Sequence, residues 1–231
     1  MATFLVFGAH PDDVELAVGG IVARHVDQGH VVDICDLTAG EMGSNGTPEI
    51  RRQEGQRAAE ILGARQRHNL GLPDAFLQPD REAVLKTAEL IRQVAPDIVL
   101  APWWQDRHPD HEAASAIVTK ASHLAGLHKF PAAGTRHRPR RVFYYFLGRT
   151  AEPSLLVNVD AYWEQKMDAV AAHASQFAPR EQGAKPTYLN RDKFFADHQL
   201  RFRTWGRQIG CTYAEALVSG DHLAVADISQ V

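Results

Sequence analysis

The chain has 231 residues, of which 45% are hydrophobic and 23% are charged, and its formal net charge at pH 7 is -3. This composition is that of a globular protein large enough for one substantial α/β domain. The slight acidic excess argues against nonspecific nucleic-acid binding, because no surplus of lysine and arginine is present to displace phosphate counterions.

The first residues contain no basic leader, and no apolar run approaches the roughly 20 residues that a bilayer-spanning helix requires. We therefore expect a cytoplasmic protein that has no membrane segment. The two cysteines, Cys35 and Cys211, show no CxxC spacing and suggest no disulfide framework. We interpret both as structural thiols, since free cysteine is commonly buried.

Strand-like apolar runs alternate with helical patterns, which is the signature of a mainly parallel sheet. The predicted strands cover residues 3–8, 31–37, about 66–70, 97–102 and 141–147. The predicted helices cover residues 16–28, 47–62, 83–94, about 110–125, 163–173 and 192–209. Residues 128–140 and 176–190 are predicted to be irregular. The sequence thus predicts a Rossmann-like α/β fold with helices on both faces of the sheet, in a single domain over residues 1–231.

Ionisable side chains crowd the ends of two predicted strands. The first strand runs into FLVFGAHPDDVE, and the fourth runs into APWWQDRHPDH. Both clusters combine histidine with aspartate, namely His10, Asp12 and Asp13 in the first and His108, Asp110 and His111 in the second. In open parallel sheets, ligands bind outside the carboxyl ends of the strands. If the two strands lie side by side, the two clusters form one functional site at those ends.

His10 and Asp13 are three residues apart where a strand turns into a helix, so both can reach one point that His111 approaches from the second loop. Two imidazoles and one carboxylate form a three-ligand site of the catalytic zinc type, with a position left for water. Asp12 is then the spare carboxylate, suited to general acid/base work on that water. The same ligands accept Fe²⁺ or another divalent ion. Glu15 is expected either to hydrogen-bond a ligand histidine or to favour the first turn of a helix.

The first histidine of HPDH has a separate predicted role. His108 lies three residues before His111, and Asp110 is expected to hold its imidazole in one orientation and to favour the imidazolium. Such a group can stabilise the oxyanion that forms when water attacks a carbonyl. The residues of the two clusters together predict a hydrolase.

AHPDDVE and HPDH resemble the motifs of the PIG-L/LmbE-like deacetylases, which are zinc-dependent enzymes that remove the N-acetyl group from N-acetylglucosamine units. The zinc ligands that this resemblance implies are His10, Asp13 and His111. It further implies that Asp12 is the general base, and that His108 stabilises the tetrahedral intermediate with Asp110 as its partner.

Within that family, the inserted Val14 and the stretches LTAGEMGSNGTPEIRRQE, NLGLPD and WQDRHPDH are most similar to the bacillithiol-biosynthesis branch. Members of that branch deacetylate N-acetylglucosaminyl malate. The likeness implies that Arg51 and Arg107 line the active site, where they can bind a substrate carboxylate. It also suggests a homo-oligomer such as a hexamer. The C-terminal stretch 217–231 departs from the branch, because it lacks a basic, proline-containing end.

Three alternatives remain open. Another substrate that contains N-acetylglucosamine, such as a chitooligosaccharide, would use the same chemistry. Two histidines and one carboxylate also form the facial triad of non-haem iron oxygenases, although those triads usually lie inside a jelly-roll barrel. A non-catalytic metal- or sugar-binding module would hold structural zinc, which generally has four protein ligands, and the sequence suggests no fourth. A dinucleotide cofactor is not expected, since the first strand is not followed by GxGxxG.

Overall fold

The computed structural model describes residues 1–177 and 183–224. Its strands form one seven-stranded sheet of order β3-β2-β1-β4-β5-β7-β6. They are β1 (Thr3–Gly8), β2 (Val31–Thr38), β3 (Gln66–Leu72), β4 (Ile98–Pro102), β5 (Arg141–Tyr145), β6 (Leu155–Asn158) and β7 (Ala214–Ser219). Strands β1 to β5 are parallel, whereas β7 is antiparallel to both β5 and β6. The predicted mainly parallel α/β sheet is confirmed.

The helices are α1 (Asp13–Asp27), α2 (Pro48–Leu62), α3 (Arg81–Val94), α4 (Pro109–Leu124), α5 (Trp163–Ala171), α6 (Ala174–Phe177) and α7 (Phe194–Gln208). Helices α1, α2 and α5 pack together, and α3 packs against α4. Right-handed crossovers explain the two groups, because the chain moves outward from β1 to β3 and then returns to β4 on the other side. None of these helices over the described residues has the length and apolar character that crossing a bilayer requires.

The centre of the sheet is the point where the strand order reverses. Strand β1 lies between β2 and β4, and its Leu5 and Val6 are in register with Val99 and Leu100 of β4. The loops that leave β1 and β4 therefore diverge to opposite faces and open a crevice at the carboxyl ends of the two strands. The expectation that these two strands are neighbours is confirmed, and both histidine-aspartate clusters follow them directly.

Strand β1 is buried on both faces, which explains its unbroken apolar sequence. Leu5, Val6 and Phe7 are almost fully buried between the helical layers. The backbone oxygen of Phe7 accepts a hydrogen bond of 2.5 Å from the hydroxyl of buried Tyr145. Covering both faces of a parallel strand removes the polar alternation seen in half-exposed strands. The turn that follows β1 therefore starts from a firmly packed position.

Helix α1 contains a kink that the C-terminal part of the chain stabilises. Val18 has non-helical backbone angles (φ -136°, ψ 21°), which interrupt the regular geometry of the helix at this point. The carboxylate of Glu215, in β7, accepts hydrogen bonds from the amides of Gly20 (2.9 Å) and Ile21 (2.6 Å). The Nζ atom of Lys166, in α5, donates to the same carboxylate at 2.6 Å. Strand β7 and helix α5 thus support the helix that begins at Asp13.

Residues 128–140 contain no helix or strand, as predicted, but they are anchored to the helices beside them. The buried guanidinium of Arg92, in α3, donates hydrogen bonds to four backbone oxygens, those of Ala125, Leu127, Phe130 and Ala132. His137 also contacts the backbone oxygen of Pro96 at 2.7 Å. Because a single buried cation satisfies four carbonyls here, this loop packs as part of the α3–α4 layer.

The sequence pattern missed the two strands β6 and β7 and the short helix α6. Strand β6 has four residues, LLVN, and lies at the edge of the sheet beside β7. Such short runs carry little periodic signal, so their pairing is decided by the neighbouring strands. The predicted strand 141–147 ends at Tyr145, and the predicted helix 163–173 ends at Ala171. Part of the atypical C-terminal stretch, residues 225–231, lies outside the described residues.

Candidate active site

The turn between β1 and α1 is folded around the side chain of Asp13. Its Oδ2 atom accepts hydrogen bonds from the amides of Ala9 and His10, both at 2.9 Å. Asp12 has a φ of 126°, in the left-handed region, which is unusual for a residue other than glycine. Such a conformation costs on the order of 1–3 kcal/mol, and it persists where the surrounding structure imposes it. The turn thereby directs His10, Asp12 and Asp13 into the crevice.

His10, Asp13 and His111 converge as predicted, with one ligand atom of each within 4.8 Å of the others. The Nε2 atom of His111 lies 3.3 Å from Asp13 Oδ1, and the Nδ1 atom of His10 lies 3.5 Å from Asp13 Oδ2. Helix α4 brings His111 to this point from the carboxyl end of β4. The two loops thus join at one site, although they are about a hundred residues apart in the sequence.

Carboxylates behind the two histidines set their orientation. The Nε2 atom of His10 lies 3.1 Å from Asp74 Oδ1 and 3.3 Å from Asp110 Oδ2. The Nδ1 atom of His111 lies 3.1 Å from Asp106 Oδ1. With these nitrogens donating to carboxylates, His10 Nδ1 and His111 Nε2 keep their lone pairs toward Asp13. A carboxylate behind each ligand histidine is the usual arrangement at protein metal centres, so the donor set fits a divalent cation.

The electrostatics of this group also favour bound positive charge. Burial opposes the charged form of His10, but Asp110, Asp13 and Asp74 outweigh it and raise the pKa of His10 well above its usual value. Burial also opposes the charged form of His111, but Asp13 and Asp106 outweigh it and raise the pKa of His111 to about 9. When both histidines are neutral, the surrounding carboxylates give the site a net negative charge. A bound cation would compensate for that charge.

Asp12 lies beside the three ligand residues but is held by a different partner. The Nη2 atom of Arg51 donates to the backbone oxygen of Pro11 at 2.7 Å and to Asp12 Oδ2 at 3.3 Å. Its Nη1 atom donates to the backbone oxygen of Gly40 at 3.0 Å. Burial raises the pKa of Asp12 to about 6, although the charge of Arg51 opposes this shift. Asp12 therefore has the pKa of a group that can accept and return a proton near neutral pH.

Arg51 was predicted to bind a substrate carboxylate, and the structure places it at the pocket with much of its hydrogen-bonding capacity already used. Three of its contacts are to the protein itself, as described above. Gly40, with a φ of 66°, makes room for it, since a Cβ at that position would overlap Arg51 Nη1. The adjacent Arg52 is exposed and lies outside this pocket. In this geometry Arg51 positions Asp12.

The predicted pairing of His108 with the Asp110 carboxylate is wrong. That carboxylate accepts hydrogen bonds from the amides of Ala75 (2.8 Å) and Leu77 (3.3 Å) and faces His10. It is instead the backbone amide of Asp110 that donates to His108 Nδ1, at 3.3 Å. The reason is local, because His108 is the N-cap residue of α4 and its ring accepts from an otherwise unpaired amide.

His108 therefore differs in charge from the expectation. Burial and the neighbouring charges of His111 and His10 lower its pKa, so the neutral imidazole is favoured rather than the imidazolium. Since Nδ1 accepts a hydrogen bond, the proton resides on Nε2. The ring stacks on His111 with centroids 4.7 Å apart and lies at the pocket surface. His108 can thus donate one hydrogen bond from Nε2 to a group in the pocket.

A second group, His10, His108 and Asp110, also has ligand atoms within 4.8 Å of one another. Both oxygens of Asp110 already accept amide hydrogen bonds, and His108 Nδ1 accepts another. The group around Asp13 fits a cation better because Asp13 Oδ1, which faces His111 Nε2, accepts no amide hydrogen bond from the described residues, whereas the two amides at Asp13 bind its Oδ2 atom. Over residues 1–177 and 183–224, no fourth histidine, cysteine, aspartate or glutamate joins it. An open coordination position is typical of catalytic rather than structural zinc.

The site opens into a cavity of about 420 Å³. One part of its lining comes from the loops after β1 and β4, including Arg107 and His108. Another comes from the C-terminal half of the chain, with Gln176, Tyr188, His198 and Arg201 among its residues. A cavity of this size accommodates a small ligand. Arg107 was predicted to line the site and does so.

Sequence reasoning missed several residues of this site. Asp74 follows β3, and Asp106 follows β4 within the WQDRHPDH stretch, so the strand-end rule that identified the histidines also applied to them. His198 and Arg201 were not among the predicted site residues. Both lie on α7, nearly a hundred residues after HPDH, and a helical position gives no sign of the cavity that it faces.

Glu15 does not contact a ligand histidine. It is fully buried and lies 2.5 Å from Arg67 Nη1 and 3.2 Å from His173 Nε2. Although burial raises the pKa of Glu15, Arg67 and His173 outweigh it and lower the pKa to about 2. Arg67 also pairs with Asp36, at 2.7 Å. Glu15 thus joins α1 to β2 and β3 behind the site.

Comparison with known proteins shows the relatives of this chain. Residues 5–122 match the family model described as PIG-L, GlcNAc-PI de-N-acetylase. A diacetylchitobiose deacetylase of Thermococcus kodakarensis is 31% identical over 96% of this chain and 85% of its own length. A probable N-acetyl-α-D-glucosaminyl L-malate deacetylase 2 of Bacillus cereus is 30% identical over 74% of this chain and 82% of its own. A 4-oxalmesaconate hydratase of Pseudomonas putida is 26% identical over 74% of this chain and 73% of its own length.

Among solved structures, the conserved protein TT1542 from Thermus thermophilus resembles this fold closely. It is 42% identical in sequence, the match covers 98% of both chains, and the TM-score is 0.88. The similarity therefore extends over the C-terminal half that contributes α7 and β7, beyond the residues that the family model matches.

Proposed function

The chain belongs to the PIG-L family of GlcNAc-PI de-N-acetylases, and from this premise we propose that it hydrolyses the acetamido group of an N-acetylglucosaminyl conjugate, with N-acetylglucosaminyl malate as the substrate. At the coarser level it is an N-deacetylase that acts on substrates of the N-acetylglucosamine type. The observation that carries the proposal is the convergence of His10, Asp13 and His111 beside the carboxylate of Asp12 at the cavity floor.

We propose Zn²⁺ as the ion that His10, Asp13 and His111 hold. The two nitrogen donors and one oxygen donor suit zinc, and each histidine is oriented by a carboxylate. A bound zinc ion would polarise the acetamide carbonyl and lower the pKa of a water molecule. Fe²⁺ is compatible with the same donors.

Asp12 acts as the general base in this proposal. Its carboxylate takes one proton from the attacking water while the water oxygen forms a bond to the acetyl carbon. The same group then gives that proton to the sugar nitrogen as the C–N bond breaks. The second proton of the water leaves on acetic acid and passes to the amine in solution, so the final products at neutral pH are acetate and a glucosamine ammonium group, and atoms and charge balance. Arg51 holds Asp12 in position through the contacts to Asp12, Pro11 and Gly40.

His108 supports the tetrahedral intermediate as a neutral hydrogen-bond donor. Its Nδ1 atom is occupied by the amide of Asp110, which leaves the Nε2–H available to the oxygen that gains charge. A preorganised donor of this kind stabilises the oxyanion without further rearrangement. Asp110 contributes by fixing His108 through its backbone and His10 through its side chain.

Two candidate substrates would undergo this same deacetylation, and they differ in the group attached to the acetylated sugar. The malate conjugate is favoured by the arginines of the cavity, because its carboxylates carry negative charge. A chitooligosaccharide is the second candidate, since the relative that acts on diacetylchitobiose covers 96% of this chain. The hydratase relative adds a third possibility, in which activated water adds to a carbon–carbon double bond without releasing acetate.

The test is an acetate-release assay on purified, zinc-loaded protein. N-acetylglucosaminyl malate, N,N'-diacetylchitobiose, free N-acetylglucosamine and 4-oxalmesaconate are compared, each with and without a chelator. We expect chelator-sensitive acetate release, fastest with the malate conjugate. Faster release from diacetylchitobiose would replace the proposed substrate with the second candidate. If no sugar substrate released acetate and 4-oxalmesaconate were consumed, hydration would replace deacetylation as the proposed reaction.

The resemblance also leads us to propose that the chain forms one domain, works in the cytoplasm and assembles into a homo-oligomer such as a hexamer. The single sheet supports the first point, since β7 pairs with β5 from the middle of the chain. Sedimentation-velocity centrifugation of the purified protein tests the assembly, and a monomeric mass at micromolar concentration would contradict it.

A further inference from the structure

Two arginines of the active-site cavity form no direct ion pair with a carboxylate of the described residues. Arg107 follows β4 and Arg201 lies on α7, and both line the cavity. Within the described part of the chain, no carboxylate oxygen lies within ion-pair distance of either guanidinium. The carboxylates nearby are already engaged, since Asp106 faces His111 and Asp197 pairs with Arg191 at 2.7 Å.

Other contacts hold the two guanidinium groups in place. The guanidinium carbon of Arg107 lies 3.7 Å from the centre of the Tyr188 ring. Gly148 packs against the same side chain, and a Cβ there would lie 2.7 Å from Arg107 Cγ. Arg201 donates a hydrogen bond to the backbone oxygen of Leu147, the residue before Gly148. Arg107 and Arg201 therefore adjoin the same two-residue segment.

This arrangement is costly for the protein alone. Burial lowers the pKa of Arg201; Tyr188 and Asp106 oppose this shift without cancelling it, and the positive charge of Arg107 adds to it. Removing a guanidinium from water and placing it near a like charge disfavours the folded state unless an anion compensates. A carboxylate can accept two parallel hydrogen bonds from one guanidinium, and a pair of guanidinium groups strengthens that binding.

We propose that Arg201 is a specificity-determining residue, which together with Arg107 binds a carboxylate of the group attached to the acetylated sugar. The inference rests on the proposed function, because it takes the substrate to be an acetamido-sugar conjugate. It assigns the recognition of negative charge to Arg107 and Arg201 and leaves Arg51 to position Asp12. An uncharged oligosaccharide gains nothing from this pair.

The experiment compares a charged and an uncharged substrate. Values of kcat and KM are measured with N-acetylglucosaminyl malate and with N,N'-diacetylchitobiose for the wild type, Arg201→Gln, Arg201→Lys and the control Arg203→Gln. Arg203 lies on the exposed face of the same helix. For Arg201→Gln we expect kcat/KM to fall about 10- to 100-fold more with the charged substrate, mainly through KM, as for a lost charged hydrogen bond. Arg201→Lys should recover part of the loss, because it keeps the charge without the planar fork.

Equal losses on both substrates would overturn the inference and leave Arg201 as a structural anchor for Leu147. If the wild type releases acetate from neither substrate, the proposed function fails, and calorimetric binding of L-malate then decides the inference separately. Binding that is at least tenfold weaker in Arg201→Gln than in the wild type supports the subsite. Equal binding by the two proteins contradicts it.

Discussion

At the scale of single residues, two adjacent aspartates of one turn, Asp12 and Asp13, differ in their neighbours and in their pKa values. Asp13 accepts two backbone amides and faces both histidines, so it is held ionised, with its pKa well below the usual range. Asp12, its neighbour, is buried and carries a raised pKa of about 6. Adjacent carboxyl groups with pKa values pushed apart are a sign of distinct roles, one as a ligand and one as a base.

Replacing the base provides the first prediction. Asp12→Asn keeps the volume and the contact with Arg51 but cannot take a proton, so we expect kcat to fall about 10²- to 10⁴-fold. Steady-state acetate release measures the effect, and metal content by elemental analysis should stay that of the wild type. Asp168→Asn, on the exposed side of α5, is the matched control. A rate within twofold of the wild type would remove Asp12 from the mechanism.

A second prediction concerns the neutral donor. His108→Ala removes the Nε2–H but none of the atoms assigned to the ion, so we expect kcat to fall about 10²- to 10³-fold with the metal retained. Helix α4 also loses a cap, which costs about 1 kcal/mol of stability. Thermal unfolding should therefore be followed beside the kinetics. Loss of zinc from this variant would instead identify His108 as a ligand.

The third prediction addresses a residue behind the site. Asp106 accepts from His111 Nδ1 and from the amides of His108 (3.0 Å) and Gly148 (2.7 Å). In Asp106→Asn the histidine loses an ionised partner, so we expect metal affinity to fall about 10- to 100-fold. Competition with a zinc chelator measures it. Asp97→Asn, just before the opposite end of β4, is the control, and unchanged affinity in Asp106→Asn would assign Asp106 to loop structure alone.

At the scale of secondary-structure elements, α1 depends on partners from the far end of the chain. The helix carries Asp13 at its start and has a kink at Val18, and the amides of Gly20 and Ile21 just after the kink donate to Glu215 of β7. Lys166 of α5 neutralises that carboxylate, and both side chains are fully buried. Three elements therefore meet at one buried ion pair.

The fourth prediction tests this pair. Glu215→Gln leaves a buried ammonium without its counterion, so the free energy of unfolding should fall by about 3–5 kcal/mol. The double variant Lys166→Met/Glu215→Gln removes the stranded charge while the amide oxygen still accepts from Gly20 or Ile21. We expect it to be more stable than the single variant in urea unfolding. If the stability losses of the single variants Lys166→Met and Glu215→Gln added up to the loss in the double variant, the pair would not be energetically coupled.

At the scale of the whole molecule, acid stability reflects histidines that the fold keeps neutral. His198 lies between the rings of Phe194 and Phe202. Burial lowers its pKa to about 2, and the charges of Lys166 and Arg201 contribute to the shift. In the unfolded chain the usual pKa is 6.5, so below that pH the unfolded state binds a proton that the folded state excludes.

The fifth prediction follows from this difference. Above pH 6.5 the neutral His198 side chain makes its full contribution to the free energy of unfolding. As the pH falls from 6.5 toward 2, that contribution is lost by up to about 1.4 kcal/mol per pH unit. Between pH 7 and pH 5 the wild type should therefore lose about 2 kcal/mol more than His198→Gln, as measured by urea unfolding at each pH. His123→Gln, an exposed histidine on α4, is the control. Parallel pH profiles for the wild type and His198→Gln would contradict the prediction.

The three predicted ligand residues share one property, because each lies in the segment that follows β1 or β4 at the carboxyl end of the strand. Apolar runs identify buried parallel strands, and the carboxyl ends of neighbouring strands meet at one edge whatever lies between them in sequence. His10, Asp13 and His111 could be brought together on that basis, and the structure does so. Strand β6 escaped detection because a four-residue edge strand depends on its partner, and β7 was missed as well although it has six residues and lies between β5 and β6.

The sequence by itself determined the fold class, the edge of the sheet where the candidate site lies and the three residues that converge there as candidate metal ligands. Only the tertiary structure decided which partner each side chain faces. It turned the Asp110 carboxylate to His10, directed Arg51 to Asp12, and brought Arg201 into the cavity from α7. The physical reason is that strand periodicity is encoded locally, whereas hydrogen-bond partners and unpaired charges depend on contacts between residues far apart in the chain.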